Sequence, residues 1–388
     1  MLKKYYTIIK MNKFIRIIFL NILVIPLLFL NLATASEKLK IGLLVPMSGS
    51  NKDLGQSIIK AVRLAIKDID NDLIEVIPKD TASTPNKTLQ SALELKDLGV
   101  KIVIGPIFHK NLVYLEEVID LTFLSLTNKT LELPKNVISA GINSTSQLNT
   151  IKKFIKKNNI KKTIFLSPIQ DFEFEIKKGL KNSKIKIYKN YDYNTEPTKL
   201  TKQIEEITNY KIRKQNLEDE IRRIKNSNEV NKEKKIAQLE KLDTIGGINF
   251  DSVIIADFEE TLKSVATSLI YTDIPPTRIT YITLNQWFDK SLLNENMIQP
   301  IYFPSVNYEN YLEYLSRFNN NYQLSSNQIA FLSYDLTGLI YYLVFKNDFI
   351  VDNKIFYKKN SFKGKIGIFD IKNNKINHRL NFYKIENK

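Results

Sequence analysis

Short apolar runs alternating with amphipathic helices constrain this chain more than any other feature. Lys40-Ile41-Gly42-Leu43-Leu44-Val45 is too short for a buried helix and ends at the turn cluster Pro46-Met47-Ser48-Gly49-Ser50. It therefore reads as a strand covered on both faces, the kind found in parallel sheets. A helix follows, with Leu54, Ile58, Ala61, Val62, Ala65, Ile66 and Ile69 on one face. The unit then repeats. Leu73 to Ile77 is a strand, Thr84-Pro85 is the N-cap and first turn of a second helix, and Gly99 closes it. Val100 to Ile104, Thr122 to Leu126, Val137 to Ala140 and Thr163 to Leu166 continue the strands. Strands joined through helices at this spacing form right-handed crossovers and hence an α/β fold with parallel sheets.

In such sheets a ligand sits in the crevice beyond the carboxyl ends of the strands. That places Ser48, Gly49 and Ser50, then Gly105 and Pro106, then Ser125, Leu126 and Thr127 around one crevice. Their hydroxyls and free backbone N–H groups suit a carboxylate or another small polar ligand. The same hydroxyls would serve equally as helix caps and turn ligands, and the sequence leaves both roles open. Asp171, Asp257 and Trp287 occupy strand ends in the second half of the chain and face the same crevice on this reading.

Several chemistries are poorly served. The chain has no cysteine, which removes disulfides, thiolate metal sites, a cysteine nucleophile and a lipid-modified N-terminal cysteine. Its two histidines, His109 and His378, have no ligand spacing, and both are expected in surface or loop positions. No phosphate-cradling glycine loop or credible triad is present, so no catalytic residue, metal or cofactor is expected and the chain does not read as an enzyme. The formal charge is +16. The basic residues are scattered and lack an arginine stripe interleaved with aromatics, so they read as the composition of a Lys-, Asn- and Ile-rich chain and not as a nucleic-acid site.

The N-terminus reads as an export signal over residues 1–35. Lys10, Lys13 and Arg16 precede an apolar run from Ile17 to Leu32, and Ala33-Thr34-Ala35 supplies a cleavage site ahead of Ser36. Met11 gives an alternative start. The run is short for a membrane span, so membrane contact is expected only through this segment if it is retained, and the rest is expected in the periplasm, not as a lipoprotein. One stretch breaks the α/β rhythm. Residues 198–242 are highly charged and lack Gly and Pro, with apolar stripes on either side of Asn226-Ser227-Asn228. They read as a coiled helical-hairpin insertion. The tail, Ile366 to Phe369 and Leu380 to Ile385, reads as a β-pair around Asn373-Asn374.

These residues carry a resemblance. Lys40 to Asp70, with its Pro-Met-Ser-Gly-Ser turn, is similar to the opening of leucine/isoleucine/valine-type periplasmic binding proteins, as are Val103-Ile104-Gly105-Pro106, Ser333-Tyr334-Asp335-Leu336 and Gly364 to Lys384. Leu242-Asp243-Thr244-Ile245-Gly246-Gly247 after a charged insertion, Phe250 to Asp257, and Thr283-Leu284-Asn285-Gln286-Trp287 resemble the penicillin-binding-protein activator branch of that superfamily in alphaproteobacteria. The resemblance implies two Rossmann-like lobes of the type I periplasmic-binding-protein fold. Lobe one would take 37–142 and 305–370, and lobe two 143–302 and 378–388. It also implies a non-enzymatic role, either a regulator of peptidoglycan synthesis that docks on a peptidoglycan synthase or another envelope protein, or the solute-binding subunit of an ABC importer for an amino-acid-like ligand. Amino-acid binders of the family carry a Tyr-Gly pair where this chain has Pro168-Ile169-Gln170-Asp171-Phe172, which argues for the first. The better-known activators are lipoproteins with a helical-repeat domain, and this chain departs from them in both respects.

The export reading makes one direct expectation. N-terminal sequencing of the protein from the envelope fraction should begin at Ser36; a first residue upstream of Ile17 would mean a retained anchor.

Overall fold

The computed structural model describes residues 38–169, 173–284 and 290–386. They fall into a small unit, Leu39 with Asn71–Glu75, in which the Leu39 N–H donates to the Leu73 carbonyl at 2.6 Å, and a body comprising Lys40–Asp70 and the chain from Val76 onward.

The first half alternates as its pattern dictates: β1 (Leu39–Val45), α1 (Lys52–Ile69), β2 (Ile74–Asp80), α2 (Pro85–Asp97), β3 (Ile102–Ile104), β4 (Thr122–Ser125) and β5 (Val137–Ser139). These strands form one sheet in the order β2-β1-β3-β4-β5. Its central strands are buried throughout, as continuous apolar runs require. Thr84 caps α2 by accepting from the Lys87 N–H, with Pro85 in the first turn.

The second sheet is built from α3 (Ser144–Lys157), β6 (Thr163–Pro168), α4 (Glu173–Ser183), β7 (Lys189–Tyr193), α5 (Pro197–Ile207), α6 (Tyr210–Lys225), α7 (Lys232–Leu239), β8 (Ser252–Ile255), α8 (Glu259–Tyr271), β9 (Thr280–Thr283) and β10 (Ile301–Ser305). α9 (Tyr308–Tyr322) and α10 (Gln328–Phe345) then return to pack on α1. Last come β11 (Asn360–Lys363), β12 (Ile368–Lys372), β13 (Lys375–Arg379) and β14 (Asn381–Ile385). The six-stranded order is β14-β10-β9-β8-β6-β7, parallel except for β14. α10 is long and apolar enough to cross a membrane, yet its residues, Phe331, Leu336, Leu339 and Ile340 among them, are core.

Three sequence expectations are corrected. The expected hairpin over 198–242 begins too early: Leu200 and Ile204 belong to the core of the six-stranded sheet, so α5 is a sheet-covering helix and Asn209, at φ +52°, breaks it from α6. The projecting pair is α6 and α7. In the tail, the turn at Asn373-Asn374 joins β12 to β13, while β14 leaves that hairpin and pairs with β10. His378 is not at the surface. It is fully buried on β13, because that strand runs through the passage between the sheets.

α6 is mounted through a buried arginine. Arg213 donates from Nε to the Thr208 carbonyl (3.1 Å), from Nη1 to Thr244 Oγ1 (2.8 Å) and from Nη2 to the Thr272 carbonyl. The Leu242-to-Gly247 segment singled out in the sequence is therefore the socket for this side chain. Outward from it, Arg223 and Lys235 both pair with Glu229, linking α6 to α7, and α7 buries none of its residues. Near the C-terminus Asp335 of α10 accepts from the N–H groups of Lys365 and Ile366 at 2.9 and 2.6 Å, and burial pushes its carboxyl up to about 7. A Cβ on Gly364 would collide with this carboxylate, which is why a glycine stands there.

The chain passes between the sheets after β5, after β10 and after β13. Where it does so, His378 Nε2 donates to the Ala140 carbonyl (2.9 Å), the His378 N–H to Ser146 Oγ (2.9 Å), and Asn143 Nδ2 to the Ile376 carbonyl (3.2 Å). Burial drives the His378 imidazole down to about 4, against the pull of the Ala140 and Gly141 carbonyls. Its Nδ1 is buried without a partner among the described residues. Because the folded value lies below the ordinary 6.5, the unfolded chain binds the extra proton, and stability is lost as pH falls from about 6.5 towards 4. His378→Gln should remove that component. The difference in unfolding free energy between the two proteins should change by up to about 3 kcal/mol between pH 7.5 and pH 4, measured by urea titration; a flat difference would refute the assignment.

Candidate functional site

The crevice edge of the five-stranded sheet is organised by Asp80, a residue the sequence reading passed over. It ends β2, and its carboxylate accepts from the Met47 N–H (2.7 Å), Ser48 Oγ (2.6 Å) and the Ala82 N–H (2.8 Å). Burial pulls this carboxyl upward, but the Ser48 hydroxyl and the N–H groups of Met47, Ala82 and Ser48 together hold it below the usual range. The signal available was its place at the end of a strand beside the first turn. Ser48, Gly49 and Ser50 are exposed.

The other loops of this edge are closed on themselves. Gly105 sits at φ +101°, where an L side chain is strained, and is joined to Pro106 by a cis bond. The Pro106 carbonyl accepts both from Ser125 Oγ (2.8 Å) and from the Leu126 N–H (3.0 Å). Ser125 Oγ in turn accepts from the Thr127 N–H, and Thr127 Oγ1 from the Lys129 N–H. Ser125, Leu126 and Thr127 are buried, and the hydroxyls of Ser125 and Thr127 bond within the loop.

On the six-stranded sheet Asp257 lies two residues beyond β8 and is buried. Its carboxylate accepts from Tyr193 Oη (2.7 Å) and from the Phe258 N–H (2.9 Å), and burial raises its pKa despite these bonds. Ser167 Oγ donates to Asp192 at 2.8 Å. Asp171 and Trp287 lie outside the described residues. No group of His, Asp or Glu among the described residues is placed to hold a metal ion.

One set of bonds joins the two edges. After β4 the chain reaches Thr130 and Leu131, whose N–H groups each donate to Glu175 Oε1 at 2.6 Å, while Thr130 Oγ1 donates to Oε2 at 2.8 Å. Glu175 lies in the first turn of α4, on the other sheet. Lys178, three residues on, donates to the Thr130 carbonyl at 2.5 Å. His109 Nε2 donates to the Leu131 carbonyl from the five-stranded side. The carboxylate thus satisfies three donors of a loop that has no strand partner, and clasps one edge of the crevice to the other. A cavity of about 340 Å³ lies elsewhere, beside β7 and α5, lined by Tyr188, Tyr191, Gln203 and Asn249.

Residues 38–212 match a family described as periplasmic binding protein. The structure is similar over 90% of the chain to a Rhodospirillum rubrum protein assigned to branched-chain amino acid ABC transport, covering 98% of that chain (TM-score 0.67, 11% identity). The fold is that of a type I periplasmic binding protein. A second type I relative in structure is the C-domain of LpoA from Haemophilus influenzae, a regulator of PBP1A, at 90% and 98% coverage (TM-score 0.59, 14% identity). A third is an ABC-transporter solute-binding protein from Rhodopseudomonas palustris in complex with 3,4-dihydroxybenzoic acid, at 91% and 94% coverage (TM-score 0.56, 16% identity). These neighbours are binding proteins or regulators. No protein of curated function matches the chain by sequence.

If Glu175 holds the crevice, Glu175→Ala should leave the two N–H groups without an acceptor. The expected cost is on the order of 2 kcal/mol, with a larger radius of gyration by small-angle scattering. Unchanged stability together with unchanged scattering would show that the clasp holds nothing.

Proposed function

We propose that this chain is an exported, non-enzymatic periplasmic protein that acts by docking, as a penicillin-binding-protein-activator-like regulator of peptidoglycan synthesis. The observation that carries this reading is the mounting of α6 and α7. A guanidinium with three hydrogen bonds fixes a charged helical pair that adds nothing to the sheet core and exposes Ile212 and, in its connecting loop, Val230. Burying an arginine is costly unless it is fully bonded, and the outcome is an arm held at a defined angle to the body, as a partner site requires. The crevice supports the same reading. Its hydroxyls at Ser125 and Thr127 are consumed internally, and Glu175 already bridges its two edges, so a small solute finds few open donors there.

The importer reading rests on the exposed Ser48-Gly49-Ser50 turn, whose backbone lies open at the end of β1. A ligand that occupies it would raise the melting temperature by mass action, by about 2.7 kcal/mol of stability at a hundredfold excess over Kd.

The test replaces residues 217–240 with a short Gly/Ser linker, keeping Arg213 and its socket. Closing a short loop costs little more than closing a long one, so the body should stay folded. Intact protein should stimulate glycan polymerisation by a class A peptidoglycan synthase of the same bacterium, and the shortened protein should lose that stimulation with an unchanged melting temperature. Equal stimulation by both, or a melting shift with amino acids and no effect on the synthase, would transfer the assignment to solute binding.

A further inference from the structure

The positive charge of the chain is unevenly placed. α3 and α4 both run away from the crevice, so their C-termini share the far end of the six-stranded sheet with the starts of β6 and β7. The Lys152 amine donates to the Ser183 carbonyl at 2.9 Å, tying the two helix ends together. The Tyr188 N–H donates to the Thr163 carbonyl at 2.8 Å, tying the two strand starts. This end collects Lys156 and Lys157 from α3, Lys161 and Lys162 ahead of β6, and Lys184 and Lys186 ahead of β7, all six exposed. None of the six is in a salt bridge among the described residues. Asp251, at the same end, is turned to the backbone: its Oδ2 accepts from the N–H groups of Lys161 and Lys162. The acids of α4, Glu173 and Glu175, lie at its opposite end. Within the patch stands Tyr188, 43% exposed, with the amines of Lys162 and Lys189 at 5.3 and 5.8 Å from its ring centroid.

We infer that this lysine-rich end of the six-stranded sheet rests against an anionic phospholipid surface. The chemistry favours lipid over an acidic protein. Lysines are depleted at protein interfaces, which need an apolar centre, and this patch has none. Its charges are compact, flexible and spread over three chain segments, as a diffuse layer of phosphate headgroups requires, and they lack the rigid fork that arginine offers to a single carboxylate. A half-exposed tyrosine among lysines is the side chain that settles at headgroup level. Membrane contact then comes from the folded body, beyond the N-terminal run to which the sequence confined it.

The test is flotation of the protein, purified from the envelope fraction, with vesicles of phosphatidylcholine with and without phosphatidylglycerol. Every variant shares whatever remains of residues 1–35, so differences between variants report the patch. Binding should require phosphatidylglycerol and weaken as salt rises towards about 0.5 M. The fourfold variant Lys156→Ser, Lys157→Ser, Lys161→Ser, Lys162→Ser should bind at least tenfold less, since each lysine near such a surface contributes up to about fivefold. Tyr188→Ala should weaken binding by itself. A control with Lys211, Lys214, Lys225 and Lys241 changed to Ser removes as much charge from the arm and should bind as before. Equal losses in both fourfold variants, no preference for phosphatidylglycerol, or capture by immobilised polyglutamate without vesicle binding would each overturn the proposal. The patch variants keep α6 and α7 intact, so stimulation of a synthase and vesicle binding report separately on the two proposals.

Discussion

Polar groups that leave water must find partners, and where the chain passes from one sheet to the other a few side chains supply them. Each passage breaks a strand or helix and frees backbone groups in the interior. Asn143 answers by capping α3 through the Ser146 N–H while its amide reaches the Ile376 carbonyl, and His378 joins the Ala140 carbonyl to the Ser146 hydroxyl. Two passages, after β5 and after β13, are thus bonded to each other. Asp335 holds the approach to β12 through the Lys365 and Ile366 N–H groups. The sheets themselves could form from apolar pattern alone; their connection depends on these few side chains.

Much of the α/β architecture was legible because apolar pattern is a local signal. The run Lys40–Val45, the Thr84-Pro85 cap and the Gly99 stop each declare themselves within a few residues, and the structure places β1 and α2 where they point. What was not legible depends on distant partners. Leu200 and Ile204 look the same on a projecting hairpin and on a sheet-covering helix; only the sheet decides. His378 looks like any loop histidine until β13 is known to thread the interior. The clasp joins Thr130 to Glu175, 45 residues on, and nothing near either residue announces the other. Asp80 was missed because its three donors come from two different loops. At the crevice, the residue types at Ser125 and Thr127 allowed either ligand contacts or turn closure, and in the fold both hydroxyls make turn bonds.

The crevice and the arm divide the polar chemistry of the protein between them. At the crevice the available groups turn inward, to Asp80 on one loop and to Glu175 across the gap. On α6 and α7 they turn outward, with Arg223, Glu229 and Lys235 forming a surface chain of alternating charge. The groups at the crevice bond within the protein, and those on the helical pair stand at its surface.

The Arg213 socket has a mechanical side. Its acceptors lie at the end of α5, in the segment before β8 and at the end of α8, and Arg278 ties Asp273 and Gly246 to the same corner. All of these belong to the six-stranded sheet. A pull or torque on the helical pair is therefore delivered to one corner of one sheet, and reaches the five-stranded sheet through connections that include the Asn143–His378 passage and the Glu175 clasp. Arg213 is the pin that fixes the helical pair to this corner.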